Sequence, residues 1–599
     1  MDLVRFDQRP ACSDLLDYYS NNKSLPLWLP MKKLLLSLLV FMIVLIIGLP
    51  SIFYLSKPEA KEFRAFYNGQ VITMNAQQDV ADALLLKGGL IHKVGSTQDI
   101  LAALPKGQPA TDLKGKTIVP GIIDAHGHFP GEGLHAVAAD LNSPPIGNIL
   151  NMEQVIAALK EKAQATSEGD WVRGFGFDDT TIAEQRHISI QELDAISTEH
   201  PIFVFHISAH MAVVNSFALN MLGIDKNTPN PEGGEYQKDK NGELTGLLLE
   251  NAHQSAKQTA LKFSALDALA VVDFATKRYL QQGVTTAQNG LLQKNVYDLV
   301  NMSARLDLYK IRQIVWPAQG TADAILSGEK STTAFNDAMY KLGAVKLVAD
   351  GSIQGYTGYL THPYHVPAHD RKDDYVGYPP QAKANLIEMV EKYHKAGMQI
   401  AIHGNGDASI DDIIEAVENA QQKYPNPDAR FIVVHAQTVR EDQLLKFKAL
   451  SITPTFFNAH VYYWGDRHRD IFLGADRANR ISPMASAEKL GLRFSTHSDS
   501  PVVPMTPWLN AWNAVTRETS SGETLGIEQG IQPYRALQGM TIDAAWQVFE
   551  EDSRGSLEAG KFADFVILEH NPLSSIEHLK EPNVLGTWIA GINRYSQDK

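Results

Sequence analysis

Short apolar runs of strand length, separated by stretches of helical periodicity, recur along most of this chain and constrain its fold more than any other feature. The runs are residues 119–129, 283–290, 310–316, 345–352, 398–407, 430–437, 450–457 and 492–501. Near-continuous apolar strands joined by helical segments such as QAKANLIEMVEKYHKAG are what a parallel sheet buried on both faces requires. Eight of them lay out an α/β chain as a (β/α)8 TIM-type barrel. Polar residues collect at the ends of these runs, and in such a barrel the functional side chains sit at the C-terminal strand ends. Lys346, His403, His435 and Asp499 are therefore candidates by position as well as by type.

The first run, VPGIIDAHGHF, ends in two histidines separated by one residue. Strand side chains alternate faces, so His126 and His128 point the same way, and two adjacent imidazoles suit a divalent metal. The plain alternative, two ordinary polar residues at a strand end, stands equal to this for an isolated pair among 20 histidines.

At 599 residues, with 44% hydrophobic and 20% charged residues, the chain has material for a large core. A net charge of -14 and the lack of a long basic run argue against nucleic acid. The one cysteine, Cys12, excludes a disulfide framework within the chain and a thiolate metal cluster.

Residues 34–55 carry no charge over about 22 positions, enough to cross a bilayer as a helix. Lys32 and Lys33 precede them, and the positive-inside tendency places the rest of the chain on the non-cytoplasmic, periplasmic-type side. The expectation is a single-pass membrane protein with residues 1–33 as an N-terminal tail. A cleaved signal peptide starting at Met31 is the competing reading, opposed by the length of the apolar run and the absence of a small-x-small site after it.

Residues 63–119 read as short strands with hairpin turns at Asn68-Gly69 and Gly88-Gly89, and the far end of the chain reads the same way in GSLEAGKFADFVILE and VLGTWIAGINRY. The segment 142–281 is too long for one βα unit and holds WVRGFGFDD, PIFVFHISAHMAVVNSFAL and PEGGEYQKDKNGELTGLLLEN.

Together with PGxxDxHxH at the first run, these motifs resemble the amidohydrolase superfamily, and the order of the elements in 142–281 resembles the YtcJ-like amidohydrolases, amidohydrolase family 3. The resemblance implies a composite β-sandwich from 63–119 and 555–599, beside a metal-dependent hydrolase barrel over 120–554 with a large insertion after its first strand. It implies a divalent metal, zinc before manganese or iron, as one or two ions. The ligands it implies are His126, His128, His403, His435 and Asp499, with Asp499 also the general base toward water and then the proton donor to the leaving nitrogen. Lys346 stands where family members carry a lysine that carbon dioxide converts to a bridging carbamate. The alternative is a plain lysine paired with an acid such as Asp350 and a single ion.

Substrate-binding candidates are His460, His497, His206 and His210, the last two from the insertion, with Tyr356, Trp464 and Trp508 as aromatic loop residues near them. The chain departs from the family pattern at Phe457-Asn458, at His497 and at Gln288-Asn289, which implies an unusual substrate. The activity expected is hydrolysis of a small-molecule C–N bond other than a peptide bond: amide, formamide, cyclic amide or carbamate. The competing class is a metal-free binding or regulatory protein on the same barrel. The membrane, through the N-terminal helix, is the other expected partner, and a homo-oligomer stays open.

Overall fold

The computed structural model describes residues 59–305, 309–335, 337–368 and 371–597. It begins with β1 (Phe63–Tyr67), β2 (Gln70–Ile72), β3 (Val80–Ala81), β4 (Ala83–Lys87), β5 (Leu90–Gly95), β6 (Ala110–Asp112) and β7 (Thr117–Pro120). Four of these form one sheet in the order β5-β4-β1-β6. The chain then enters β8 (Ile122–Ile123), where the segment bearing His126 and His128 starts.

After β8 comes the long segment, which is a layered unit of its own rather than an irregular loop. Its strands are β9 (Ala139–Asp140), β10 (Val172–Phe177), β11 (Ile202–His206), β12 (Met211–Val214), β13 (Gly234–Lys238) and β14 (Leu244–Glu250), in the sheet order β13-β14-β12-β11-β10-β9. Alternation along β11 explains the layering. Ile202 and Val204 pack with Val155, Leu159 and Leu193 from the helices Met152–Gln164 and Ile190–Ile196. Phe203 and Phe205 face the other way, against Ala218, Leu219, Ala256 and Ala260. Ser189 closes a capping box with Glu192 that fixes where the helix Ile190–Ile196 begins.

The remaining strands run parallel in chain order: β15 (Val284–Leu292), β16 (Arg312–Pro317), β17 (Tyr340–Leu342), β18 (Val345–Val348), β19 (Ile400–Gly404), β20 (Phe431–His435), β21 (Ile452–Phe456) and β22 (Ser495–Thr496). They divide into the sheets β17-β16-β15-β8 and β18-β19-β20-β21-β22. Ala318, just past β16, pairs in parallel with Lys346 and links the two. On the opposite side the Asp499 N–H donates to the His126 carbonyl at 3.2 Å, and the His128 N–H to the Ser500 carbonyl at 2.8 Å. The arrangement is α/β and TIM-barrel-like. Every residue of β19, β20 and β21 is buried, as strands covered on both faces must be. The strands are shorter than the apolar runs because the chain turns away at their carboxyl ends, where the Asp350 carboxylate accepts the N–H groups of Asn405 and Gly406.

The chain ends in β23 (Phe565–Leu568), β24 (Val584–Ile589) and β25 (Ile592–Ser596), which complete the sheet β25-β24-β23-β7-β2-β3 from both ends of the chain. Its register pairs Val566 with Val119. One buried ion pair ties this sheet to the parallel strands: Arg312 on β16 donates to both oxygens of Asp564, at 2.6 and 2.9 Å, and to the Ala338 carbonyl at 2.6 Å. Removing one partner strands a buried charge, so Asp564→Ala is expected to lower stability by about 3–5 kcal/mol. Urea denaturation checks this, and a loss below about 1 kcal/mol, the value of a surface pair, would show that the bond is not holding the two parts together.

The membrane location expected from the sequence is corrected. No helix among the described residues is long and apolar enough to cross a membrane. The apolar run at 34–55, on which the single-pass, non-cytoplasmic reading rested, lies outside the described residues, so no placement of the chain stands on it.

Candidate metal centre

The register of the parallel strands brings the candidates together. Lys346 lies beside Ala401 on β19, and Gly404, one residue past His403, lies beside His435 on β20. The His403 and His435 rings are 4.5 Å apart between centroids, and His126 sits 5.8 Å from His435. His126 stacks on Trp316 at 5.2 Å, and an added Cβ on Gly290 would stand 2.4 Å from its Cε1. Glycine is required at that close approach. His435 and Asp499 both hold left-handed backbone, φ 73° and 53°, a cost of order 1–3 kcal/mol each that the surrounding fold must offset.

The nearest atoms converge on one oxygen. His126 Nε2 and His128 Nε2 lie 3.5 and 3.4 Å from Asp499 Oδ1, which receives no hydrogen bond of normal geometry. Lys346 Nζ is 3.2 Å from His126 Nε2. Burial lowers the Lys346 amine to about 7, against the opposing pull of Asp499, so much of it is neutral at neutral pH. Burial also holds His126 and His435 well below the usual imidazole range, with the neighbouring positive charges adding to the effect. Asp499 is pushed up by burial, yet the adjacent His128 ring, with His497 and Lys346, brings it below the usual carboxylate value. The result is neutral rings at His126 and His435 beside an ionised carboxylate.

This donor set fits a divalent cation. Buried nitrogen and oxygen atoms without partners, Nδ1 of His126 and His435 and Oδ1 of Asp499 among them, are costly unless a cation or water satisfies some of them. His403 shows the matching outer support, because its Nδ1 meets Asp350 Oδ1 at 3.1 Å, while its Nε2 lies 3.3 Å from the Asn405 side-chain amide nitrogen. Asp350 is thus engaged by His403, while the hydrogen bond of Lys346 goes to His126.

The other candidates separate. His460 and His497 are buried beside His435, at 6.3 and 5.1 Å between ring centroids, and burial drives both imidazoles down, His497 to about 3. His210 reaches this group from the insertion, 5.6 Å from His403, with Nδ1 2.9 Å from Glu250 Oε2. His206 goes elsewhere: its Nε2 meets Asp179 at 3.0 Å and its Nδ1 meets Ser208 at 2.8 Å. Asp178, Asp179 and His206 lie close enough to share an ion, but Arg467 already neutralises Asp178 at 3.1 Å. Tyr356 packs on Tyr364 and Phe472, Trp464 lies 5.8 Å from His460, and Trp508 is a core residue bonded to the Gln282 carbonyl.

Three further groups bear on the site without having been singled out from the sequence. Asp124, buried beneath His126, is raised well above the usual carboxylate range by burial and by the charge of Asp499. Trp316 floors His126, and Glu250 orients His210. Asp124 stood in the PGxxDxHxH motif and could have been found there; Trp316 and Glu250 carry no local signal.

Lys346 is the second residue of β18 and not at its carboxyl end, yet it joins the imidazoles and the carboxylate, and such a set in a TIM-barrel-like α/β frame defines a metal-dependent hydrolase. The sequence profile of the Amidohydrolase family matches residues 110–593, and the chain belongs to that family. It is a hydrolase of carbon–nitrogen bonds. Among its relatives, the N-substituted formamide deformylase of Arthrobacter pascens is 28% identical over 88% of this chain and 98% of its own length. YtcJ of Bacillus subtilis (strain 168), named as an amidohydrolase, is 26% identical over 85% of this chain and 94% of its own. A metal-dependent hydrolase from Pyrococcus horikoshii OT3 shares the fold, with a TM-score of 0.70 at 24% identity, covering 86% of this chain and 99% of that one.

Proposed function

We propose that this protein hydrolyses the C–N bond of a small non-peptide amide, with N-substituted formamides first among the amide, cyclic amide and carbamate substrates. A zinc ion, or a pair, would be held by His126, His128, His403, His435, Asp499 and a carbamate on Lys346. The observation that carries the reading is the convergence of His126 Nε2 and His128 Nε2 on Asp499 Oδ1, a buried oxygen with no hydrogen bond of normal geometry. The preference for a formyl group is supported by the Arthrobacter relative, aligned over nearly its full length. We read β8, β15, β16 and β18 to β22 as the eight strands of one (β/α)8 barrel over 120–554 with its insertion at 142–281, and the sheets of 63–119 and 555–599 as one composite sandwich.

A bound divalent ion supplies Lewis acidity, lowering the pKa of water toward 7 and polarising an acyl carbonyl. The chain's own groups do the rest. The Asp499 carboxylate takes the proton of the attacking water and passes it to the leaving nitrogen as the C–N bond breaks. Asp350 keeps the His403 ring in one orientation. The neutral Lys346 amine would attack carbon dioxide, the N–C bond forming as one C=O π pair moves onto oxygen and the proton shed by nitrogen passes to water, which replaces a base by a carboxylate. His460 and His497 bound the space beside His435 and would meet the substrate there.

The experiment is a panel of N-formyl, N-acyl and cyclic amide compounds with zinc-loaded protein. Dialysis against a chelator should abolish turnover, and one or two equivalents of zinc should restore it. A protein that binds no stoichiometric zinc or manganese belongs to the binding class instead.

A further inference from the structure

We propose that Glu132 is the positioning residue of the Asp499 carboxylate, holding the segment that follows Asp499 and so setting where the base meets water; this rests on the hydrolase reading above. Glu132 lies shortly after His128, in the 3-10 helix Gly131–Ala136, and is only 3% exposed. Its Oε2 accepts the Ser500 hydroxyl at 2.9 Å and the Met505 N–H at 3.1 Å, and its Oε1 accepts Arg278 Nε at 3.3 Å. Around Asp499 the bonds close on one another. The Asp499 N–H donates to the His126 carbonyl at 3.2 Å, the His128 N–H donates to the Ser500 carbonyl at 2.8 Å, and Ser500 donates its hydroxyl to Glu132.

A buried ion pair that merely fastens the helix Ala265–Gln281 to the loop after β8 would also bury this carboxylate, since Arg278 belongs to that helix. The division of the bonds favours positioning. Both of the shorter bonds come from the segment after Asp499, whereas the Arg278 contact is the longest and 39% of that side chain is exposed. A carboxylate at this depth is costly unless donors fill its lone pairs, and Ser500 and Met505 both serve one oxygen. The backbone on either side of Glu132 is wedged between the parts it joins. A Cβ on Gly131 would stand 2.7 Å from Pro501 Cδ, and one on Gly133 would overlap the Val271 carbonyl, so both positions need glycine. Asp499 itself holds a left-handed backbone that persists only where its surroundings enforce it, and Glu132 supplies two of the bonds that hold the segment after it.

Misplacing a catalytic group by about 1 Å can cost about 10²-fold in rate. On full-length, zinc-loaded protein and an amide that the wild type turns over, Glu132→Ala should lower kcat by about 10- to 10²-fold, with KM and zinc content unchanged. Glu132→Gln keeps an oxygen of the same shape for Ser500 and Met505 and should lose only a few-fold, roughly. The deciding comparison is made in the Asp499→Asn background, where no carboxylate is left to position. There Glu132→Ala should cost less than about twofold in kcat, whereas a general loosening of the fold lowers kcat by the same factor in both backgrounds. Single-turnover rates at excess enzyme make the slow background measurable. If Glu132→Ala does not fold by circular dichroism, Ser500→Ala, which removes one donor to Oε2, takes its place in both backgrounds. Equal factors in the two backgrounds, an unchanged kcat, a rise in KM alone, or loss of zinc each overturn the assignment. A wild type silent on every amide in the panel overturns the hydrolase reading and this inference with it, whereas an active wild type with an indifferent Glu132 overturns the inference alone.

Discussion

Asp499→Asn is expected to lower kcat by about 10²- to 10⁴-fold while the protein retains at least part of its metal, because a positioned proton-transfer group is lost and an oxygen donor of the same shape remains. The geometry explains why the effect should be so large. Asp499 Oδ1 lies close to both His126 Nε2 and His128 Nε2, at 3.5 and 3.4 Å, and the Asp499 N–H is tied to the His126 carbonyl at 3.2 Å. Its left-handed backbone, φ 53°, is tolerated by asparagine at least as well, so the substitution should leave the turn in place. Turnover and metal content measured on the same preparation decide the matter. Activity equal to wild type would remove Asp499 from the proton path.

Lys346→Ala should abolish activity to a comparable degree by a different route. The amine lies in a buried site beside His126, and its pKa of about 7 leaves much of it neutral, the form that reacts with carbon dioxide. Loss of a carbamate removes an oxygen donor from the centre, so metal content should fall with activity, and short carboxylic acids added to the variant should partly restore both. A plain lysine predicts no such rescue. Electron density ending at Nζ, with one ion in place, would defeat the carbamate and leave a hydrolase with a single metal.

The two substitutions also test different parts of what could be read locally. His403 and His435 are legible because each follows an apolar run, whereas Lys346 is the second residue of β18, and His126 and His128 lie past the end of β8, where strand alternation no longer sets their direction. The family resemblance was legible in the same motifs, and the Amidohydrolase match over residues 110–593 agrees with it. The membrane reading was not sustained, since among the described residues no helix is long and apolar enough for a bilayer. A charge-free run is a local property, and where a chain resides is not.

Periodicity by itself determined the parallel α/β order, and the motifs carried the resemblance to the family that the profile match over residues 110–593 then showed. Only the tertiary structure decided which carboxylate serves which imidazole. Asp350 goes to His403, 53 residues away, Glu250 to His210, 40 away, and Asp179 to His206, 27 away. The sequence alone left Asp350 open as an alternative partner for Lys346, and it offered His206 and His210 alike as substrate-binding candidates from the insertion. Spacing along a strand reports the direction in which a side chain points relative to its neighbours, but an ion pair forms at about 3 Å, and that distance depends on the register between strands and on how the insertion sheet settles against the loop after strand four.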